Sequence, residues 1–205
     1  TSVIVTTDVT NILTVSNVSE TAVTGYGTDR YVDGPMRKYI NDGDDFVFPV
    51  GDDGRYGKAD VITTNSAGAG YWEAEYYNSN PHPAYDTSLY ASPLNAVSGN
   101  EYWRVEGPSA TSESSVRIRW DDESVLPAQT DDRPNNLHIA RWDGAQWIDE
   151  GTDVTDNGIN SGTIQTDNAV TLEEHIFTIA SEESAPKPTA AFSTADTALC
   201  EGEAI

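Results

Sequence analysis

The chain has 205 residues, with 34 Asp and Glu against 11 Lys and Arg, and a formal net charge of −23. That excess excludes a phosphate backbone and an anionic membrane surface as partners, since both need a basic face. No apolar run approaches the roughly 20 residues of a membrane span, so no membrane insertion is expected. Hydrophobic residues make up only 37%, yet five Trp, ten Tyr and four Phe supply the bulk for one or two packed cores.

Residues 1–38 hold very short strand candidates at 3–5, 12–15 and 21–23, joined by Thr, Asn, Ser and Gly. Such segments cannot bury a face alone but can stack as solenoid rungs; the alternative is ordinary edge strands of a sandwich. From residue 39 to 181 the pattern changes. Helical periodicity is nearly absent. Strand candidates fall at 46–50, 60–64, 71–77, 101–106, 146–149 and 162–166. Val116, Ile118 and Trp120 alternate with Arg117 and Arg119; Leu137 and Ile139 alternate with His138 and Ala140; Phe177 and Ile179 alternate with Ile176 and Thr178. Short strands punctuated by Gly, Asn, Asp and Pro predict an all-β fold, an antiparallel β-sandwich ahead of a closed barrel.

Within 46–50, Phe46, Phe48 and Val50 form a core face and Pro49 suits an edge or a strand end. Gly51-Asp52-Asp53-Gly54 reads as a tight turn with its glycines at positive φ, or as a turn whose aspartates also bind a cation. Asp143-Gly144 is a hairpin turn flanked by Trp142 and Trp147 on paired strands. Buried, these tryptophans form a sandwich corner; exposed, they offer a platform for sugar rings. Residues 182–188 form a polar, proline-containing linker expected to be extended. Both ends read as cut from a longer polypeptide.

Acidic clusters occur at Asp42, Asp44 and Asp45, at Asp52 and Asp53, at Asp121 to Glu123, and at Asp131 and Asp132. The densest is Asp149, Glu150, Asp153, Asp156 and Asn157, in a loop with Gly151 and Gly158. Its composition suits calcium, which takes six to eight oxygens, although the spacing is not that of an EF-hand. Solvated loop charge is the other reading. His82, His138 and His175 lie far apart, with no metalloprotease spacing, nucleophile elbow or phosphate loop. The chain is therefore expected not to be an enzyme. Asn17-Val18-Ser19 and Asp196-Thr197-Ala198 match short glycosylation acceptor patterns, which arise by chance in a chain this rich in Thr and Asp.

The segment Tyr31-Val-Asp-Gly-Pro-Met-Arg-Lys38, followed by Phe46-Val-Phe-Pro-Val-Gly-Asp-Asp-Gly-Arg-Tyr-Gly57, resembles a module of very large secreted surface proteins of gliding and particle-degrading Bacteroidetes. Residues 101–105, 139–147 and 188–202 carry the same likeness. The resemblance implies the end of a parallel β-solenoid over 1–38 and a β-sandwich over 39–181. It further implies the first strands of an immunoglobulin-like PKD domain over 189–205. It implies export by the type IX pathway to the cell surface, and a non-enzymatic structural or adhesive stalk, built into a filament or serving gliding motility. Partners would be neighbouring β-domains of the same chain, surface polysaccharide or another cell-surface protein. Cys200 would bridge to a cysteine beyond the fragment, in an oxidising extracellular setting; the bland alternative is a reduced buried thiol. The acidic excess departs from the family pattern. The alternative function is a carbohydrate-binding module of a secreted polysaccharide-degrading enzyme.

Overall fold

The computed structural model describes residues 2–66, 70–124, 126, 136–156, 161–171 and 175–182. Among these the protein is all-β, with eighteen strands and no helix. In chain order they are β1 (Val3–Thr6), β2 (Leu13–Val15), β3 (Arg30–Asp33), β4 (Met36–Lys38), β5 (Asp45–Phe48) and β6 (Val50–Asp52). There follow β7 (Arg55–Tyr56), β8 (Ala59–Asn65), β9 (Trp72–Tyr77), β10 (Ala96–Val97), β11 (Tyr102–Glu106) and β12 (Glu113–Trp120). The last are β13 (Leu137–Trp142), β14 (Trp147–Gly151), β15 (Asp153–Asp156), β16 (Gly162–Gln165), β17 (Val170–Thr171) and β18 (His175–Ser181). The expected linker, the expected PKD start and Cys200 lie outside the described residues.

Two sheets face each other across the main core. One runs β14-β13-β18-β11-β9-β4-β2 with β10 beside β18; the other runs β15-β16-β12-β8-β5 with β17 beside β12. Strand alternation sets what they bury. In β12, Ser114, Val116, Ile118 and Trp120 point inward while Arg117 and Arg119 stay half-exposed. Trp72, Trp103, Phe46, Phe48 and Phe177 fill the space between the sheets. Trp103 is fully buried and donates its indole N–H to the Gly57 carbonyl at 2.6 Å, so its one polar atom is satisfied.

The expected alternation in β13 and β18 fails for a physical reason. Leu137, His138, Ile139 and Ala140 are all buried, as are Ile176 to Ser181, because these two strands are covered on both faces. The second cover is the irregular segment 81–98, which sequence analysis leaves without an element. Its Leu94 and Val97 pack on Ala140, Trp147, Ile176 and Ala180. Backbone bonds hold it there: Trp147 N–H to Leu89 O, Ala91 N–H to Trp147 O, and Ser98 N–H to Ile179 O, each 2.8 Å.

A third, four-stranded sheet runs β1-β3-β6-β7. Here β1 pairs parallel to β3 (Val3 opposite Arg30) and β3 parallel to β6 (Val32 opposite Val50). β2 likewise pairs parallel to β4, with Leu13 opposite Met36. Residues 21–23 form no strand; Ala22 N–H bonds Ser19 O in a turn. The boundary expected at residue 38 does not separate two cores, since Val32, Met36 and Ile40 belong to the main one.

The chain changes sheets at Pro49. Phe46 and Phe48 sit in β5, at the edge of the six-stranded sheet, while Val50 begins β6 in the parallel sheet. A residue without an N–H suits that break, and the Pro49 carbonyl accepts the Val32 N–H at 2.8 Å. The following turn differs in detail from expectation. Asp53 (φ 47°) and Gly54 (φ 83°) are the positive-φ pair of a two-residue hairpin. Gly51 is required for space instead: a Cβ there would lie 2.4 Å from Arg55 O and 2.5 Å from the Tyr31 ring. Gly51→Ala is therefore expected to destabilise the protein by about 1–3 kcal/mol through overpacking, read as a lower urea midpoint at unchanged slope.

Candidate functional site

The first strands make one end of the molecule unlike the rest. Among the described residues, β1 is a run of β-branched residues paired on one side only, and β2 is likewise the last strand of its sheet. Both therefore present an unpaired row of N–H and C=O groups. Val3 (55% exposed), Ile4 (44%), Val5 (43%) and Leu13 (37%) stand in solvent beside those edges. Between the strands lies an open groove of about 390 Å³, walled by Val3, Val5, Leu13, Val23, Tyr26 and Tyr31, with Arg30 the one charged residue in its described lining. In a chain of net charge −23, residues 1–28 carry only Asp8 and Glu20 and no Lys or Arg. An apolar, charge-poor patch with open edges has the composition of an interface core.

Buried polar contacts bolt this end to the sandwich. Lys38, fully buried, donates its ammonium to Asn17 O at 2.6 Å and Tyr39 O at 2.5 Å, and lies 5.0 Å above the Phe46 ring. Burial lowers its pKa. Arg55, on the hairpin that closes the parallel sheet, reaches both facing sheets. Its guanidinium lies 3.1 Å from Glu101, ahead of β11, and 2.9 Å from Asp121, after β12, and it donates to Glu123 O and Ser124 Oγ, each at 3.1 Å. Glu101 also accepts the Tyr76 hydroxyl at 2.9 Å. Burial pushes the Glu101 carboxyl up despite Arg55, Ser124 and Tyr76. For Asp121 burial pulls the same way but Arg119 and Arg55 outweigh it, so its carboxyl sits below the usual range. Sequence analysis names neither Arg55 nor Glu101 as a site, and no local pattern marks them: the partners are far apart in the chain.

The tryptophans flanking the 143–146 hairpin are directly opposed, as expected. Trp147 is fully buried and Trp142 half-buried; their rings meet at 70° and 5.5 Å, with Tyr85 packed against both. This is a corner of the second core and not a coplanar exposed pair. Trp72 and Trp103 are also fully buried.

The calcium candidates do not converge. Asp149 and Glu150 point to opposite faces of β14: Asp149 lies 2.9 Å from His138 Nδ1, and Glu150 accepts from Arg141 Nε at 2.6 Å. Asp153 and Asp156 stand exposed on the edge strand β15; Asn157 lies outside the described residues, as do Asp131 and Asp132. Among the described residues no three His, Cys, Asp or Glu side chains are grouped to hold a metal ion.

Many aspartates bond backbone amides instead. Asp8, Asp86 and Asp143 accept N–H bonds that close local turns, and Asp42, Asp52 and Asp167 accept N–H bonds from distant segments. Hydrogen bonds from Thr10 and Asn11 bring the Asp8 carboxyl down to about 2. Every Arg among the described residues, and Lys58, faces a carboxylate.

The chain matches no family model, no curated protein and no solved structure.

Replacing Arg55 by Met should cost about 3–5 kcal/mol, because Glu101 is left buried without its cation. Glu101→Gln, which keeps an acceptor for Tyr76, should cost less. Asp121 has a folded pKa below its unfolded value, so its contribution is complete above about pH 4 and lost on further acidification. Asp121→Asn should flatten the acid limb of stability measured by urea melts across that range.

Proposed function

We propose that this chain is a non-enzymatic structural or adhesive segment of a large extracellular surface protein. It joins a parallel β-solenoid to an antiparallel sandwich. The observation that carries this reading is the pair of open parallel edges at one end, β1 and β2, with an apolar, charge-poor groove between them. An edge of this kind is an aggregation hazard unless another coil continues it. The parallel ladders β1–β3 and β2–β4 supply the register in which a preceding coil adds. At the other limit the ladders stop: β6 is followed by antiparallel β7, and β4 by antiparallel β9. The module thus accepts coils on one side and terminates them on the other.

The resemblance to surface proteins of gliding Bacteroidetes agrees with this arrangement and suggests the rest of the proposal: type IX export, a stalk holding a distal tip away from the cell, and a disulfide-linked PKD domain downstream through Cys200. Acidic faces keep adjacent modules soluble. Calcium bridging between such faces belongs to the same proposal, on the acidic composition of Asp149 and Glu150 on β14 and of Asp153 and Asp156 on β15.

Hydrogen exchange on this chain and on a longer chain with its natural preceding residues tests the reading. Slower exchange of the β1 and β2 amides in the longer chain is the expected result; equal exchange sinks the coil junction. Melting in millimolar calcium and in chelator tests the calcium part, which requires a rise in melting temperature with the ion.

A further inference from the structure

We infer that the depression beside Tyr39 is a binding site for a neutral sugar unit of a glycan. It has a volume of about 440 Å³, within the range of small-molecule pockets, and is lined by Val18, Tyr39, Ile40, Asn41, Asp42 and Ser66, with Gly70 at its rim. This site is independent of the stalk reading and of the Trp142–Trp147 corner.

The aromatic wall is held rigid from three directions. Glu73, itself buried, accepts from Arg37 Nε at 2.5 Å. The Arg37 guanidinium lies 4.4 Å from the centre of the Tyr71 ring, and Tyr71 meets Tyr39 edge-on at 5.7 Å. The Tyr39 backbone is fixed as well: its N–H bonds Val15 O at 3.1 Å and its carbonyl accepts the buried Lys38 ammonium. An exposed ring that is already ordered loses little entropy when a ligand stacks on it. With the backbone of Tyr39 committed, recognition falls to side chains rather than to strand addition.

The polar wall is equally prepared. Asp42 accepts the Ser66 N–H at 2.5 Å, and this bond together with one from the Ser66 hydroxyl holds its carboxyl below the usual range. Ser66 is in turn pinned: its carbonyl accepts from Ser112 Oγ at 2.8 Å, and Ile40 O, 3.2 Å from its hydroxyl, is the alternative acceptor for that one proton. The lining therefore combines one aromatic face, two aliphatic side chains, a fixed carboxylate and an amide. A pyranose ring presents the complement: C–H faces for the tyrosine and paired hydroxyls for Asp42 and Asn41. Among the described residues no Lys or Arg lines the depression and the one charge there is negative, which selects against uronates, sulfated sugars and phosphates.

Isothermal titration of the chain with cello-, manno-, xylo- and N-acetylchito-hexaose, and with a galacturonate hexamer, tests the site. Saturable binding of at least one neutral oligomer and none of the uronate is expected. Tyr39→Ala and Asp42→Asn should each weaken it about tenfold or more, while Tyr90→Ala, at an exposed tyrosine on the 81–98 segment, leaves it unchanged. Thermal melting and near-ultraviolet dichroism establish that each variant is folded; should Tyr39→Ala fail there, Asp42→Asn decides. Absence of binding to all four neutral oligomers, preference for the uronate, or binding that survives both pocket variants overturns the inference.

Discussion

One guanidinium holds three layers together. Arg55 sits at the hairpin ending the parallel sheet, and its two nearest acidic partners flank the two facing sheets, Glu101 just ahead of β11 and Asp121 just after β12. Besides it, the β6–β7 hairpin meets the sandwich through Asp52, which accepts the Asn78 N–H at 3.0 Å, and through apolar contacts. The pair is largely buried, with 10% of the Arg55 side chain and 2% of the Glu101 side chain exposed, so desolvation consumes much of the Coulomb gain. Its value lies in geometry: five donors in a fixed fork suit several oxygens converging from different elements. The Tyr76 hydroxyl and Ser124 complete the set, leaving Glu101 hydrogen-bonded on both oxygens.

The strongly acidic composition is not simply solvated surface. Aspartates close loops by accepting backbone N–H groups, and glutamates on the outer face of the eight-stranded sheet pair with arginines. Arg104 alone meets Glu73 and Glu75 on the neighbouring strand β9 and Glu106 on its own strand. Cross-strand pairs of opposite charge stabilise a sheet face that water partly reaches. The few cations are thus consumed internally, and what projects outward is the acidic remainder. Against that background the charge-poor end formed by β1 and β2 stands apart.

The eight-stranded sheet does two jobs on its outer face. Where β13 and β18 run, the face is apolar and covered by 81–98; where β4, β9 and β11 run, it is a charged grid ending in the Arg37–Tyr71–Tyr39 series. The stacked pair Tyr77 and Tyr102, 4.4 Å apart, marks the transition. Covering only part of the face explains how one sheet can carry both a second core and an accessible polar surface.

What residue pattern alone determined was the all-β class, many of the strands and much of the core. Alternation placed Phe46, Phe48, Val116, Ile118 and Trp120 correctly, since a period of two is a local property of an extended chain. Turn chemistry placed the Asp143-Gly144 hairpin and the 51–54 turn. Short Thr- and Val-rich runs in the first residues pointed to strands too small to stand alone; those at 3–5 and 12–15 do pair in parallel, whereas 21–23 forms a turn. Tertiary structure alone decided the rest. Whether Trp147 faces solvent depends on 81–98, an irregular segment whose position no periodicity encodes. Whether Asp149 and Glu150 act together depends on the pleat, which sends adjacent side chains to opposite faces. The meetings of Arg55 with Glu101 and Asp121, and of Tyr39 with Asp42 and Ser66 in one depression, join residues through sheet pairing and layer packing, and those distances exist only once the chain has folded.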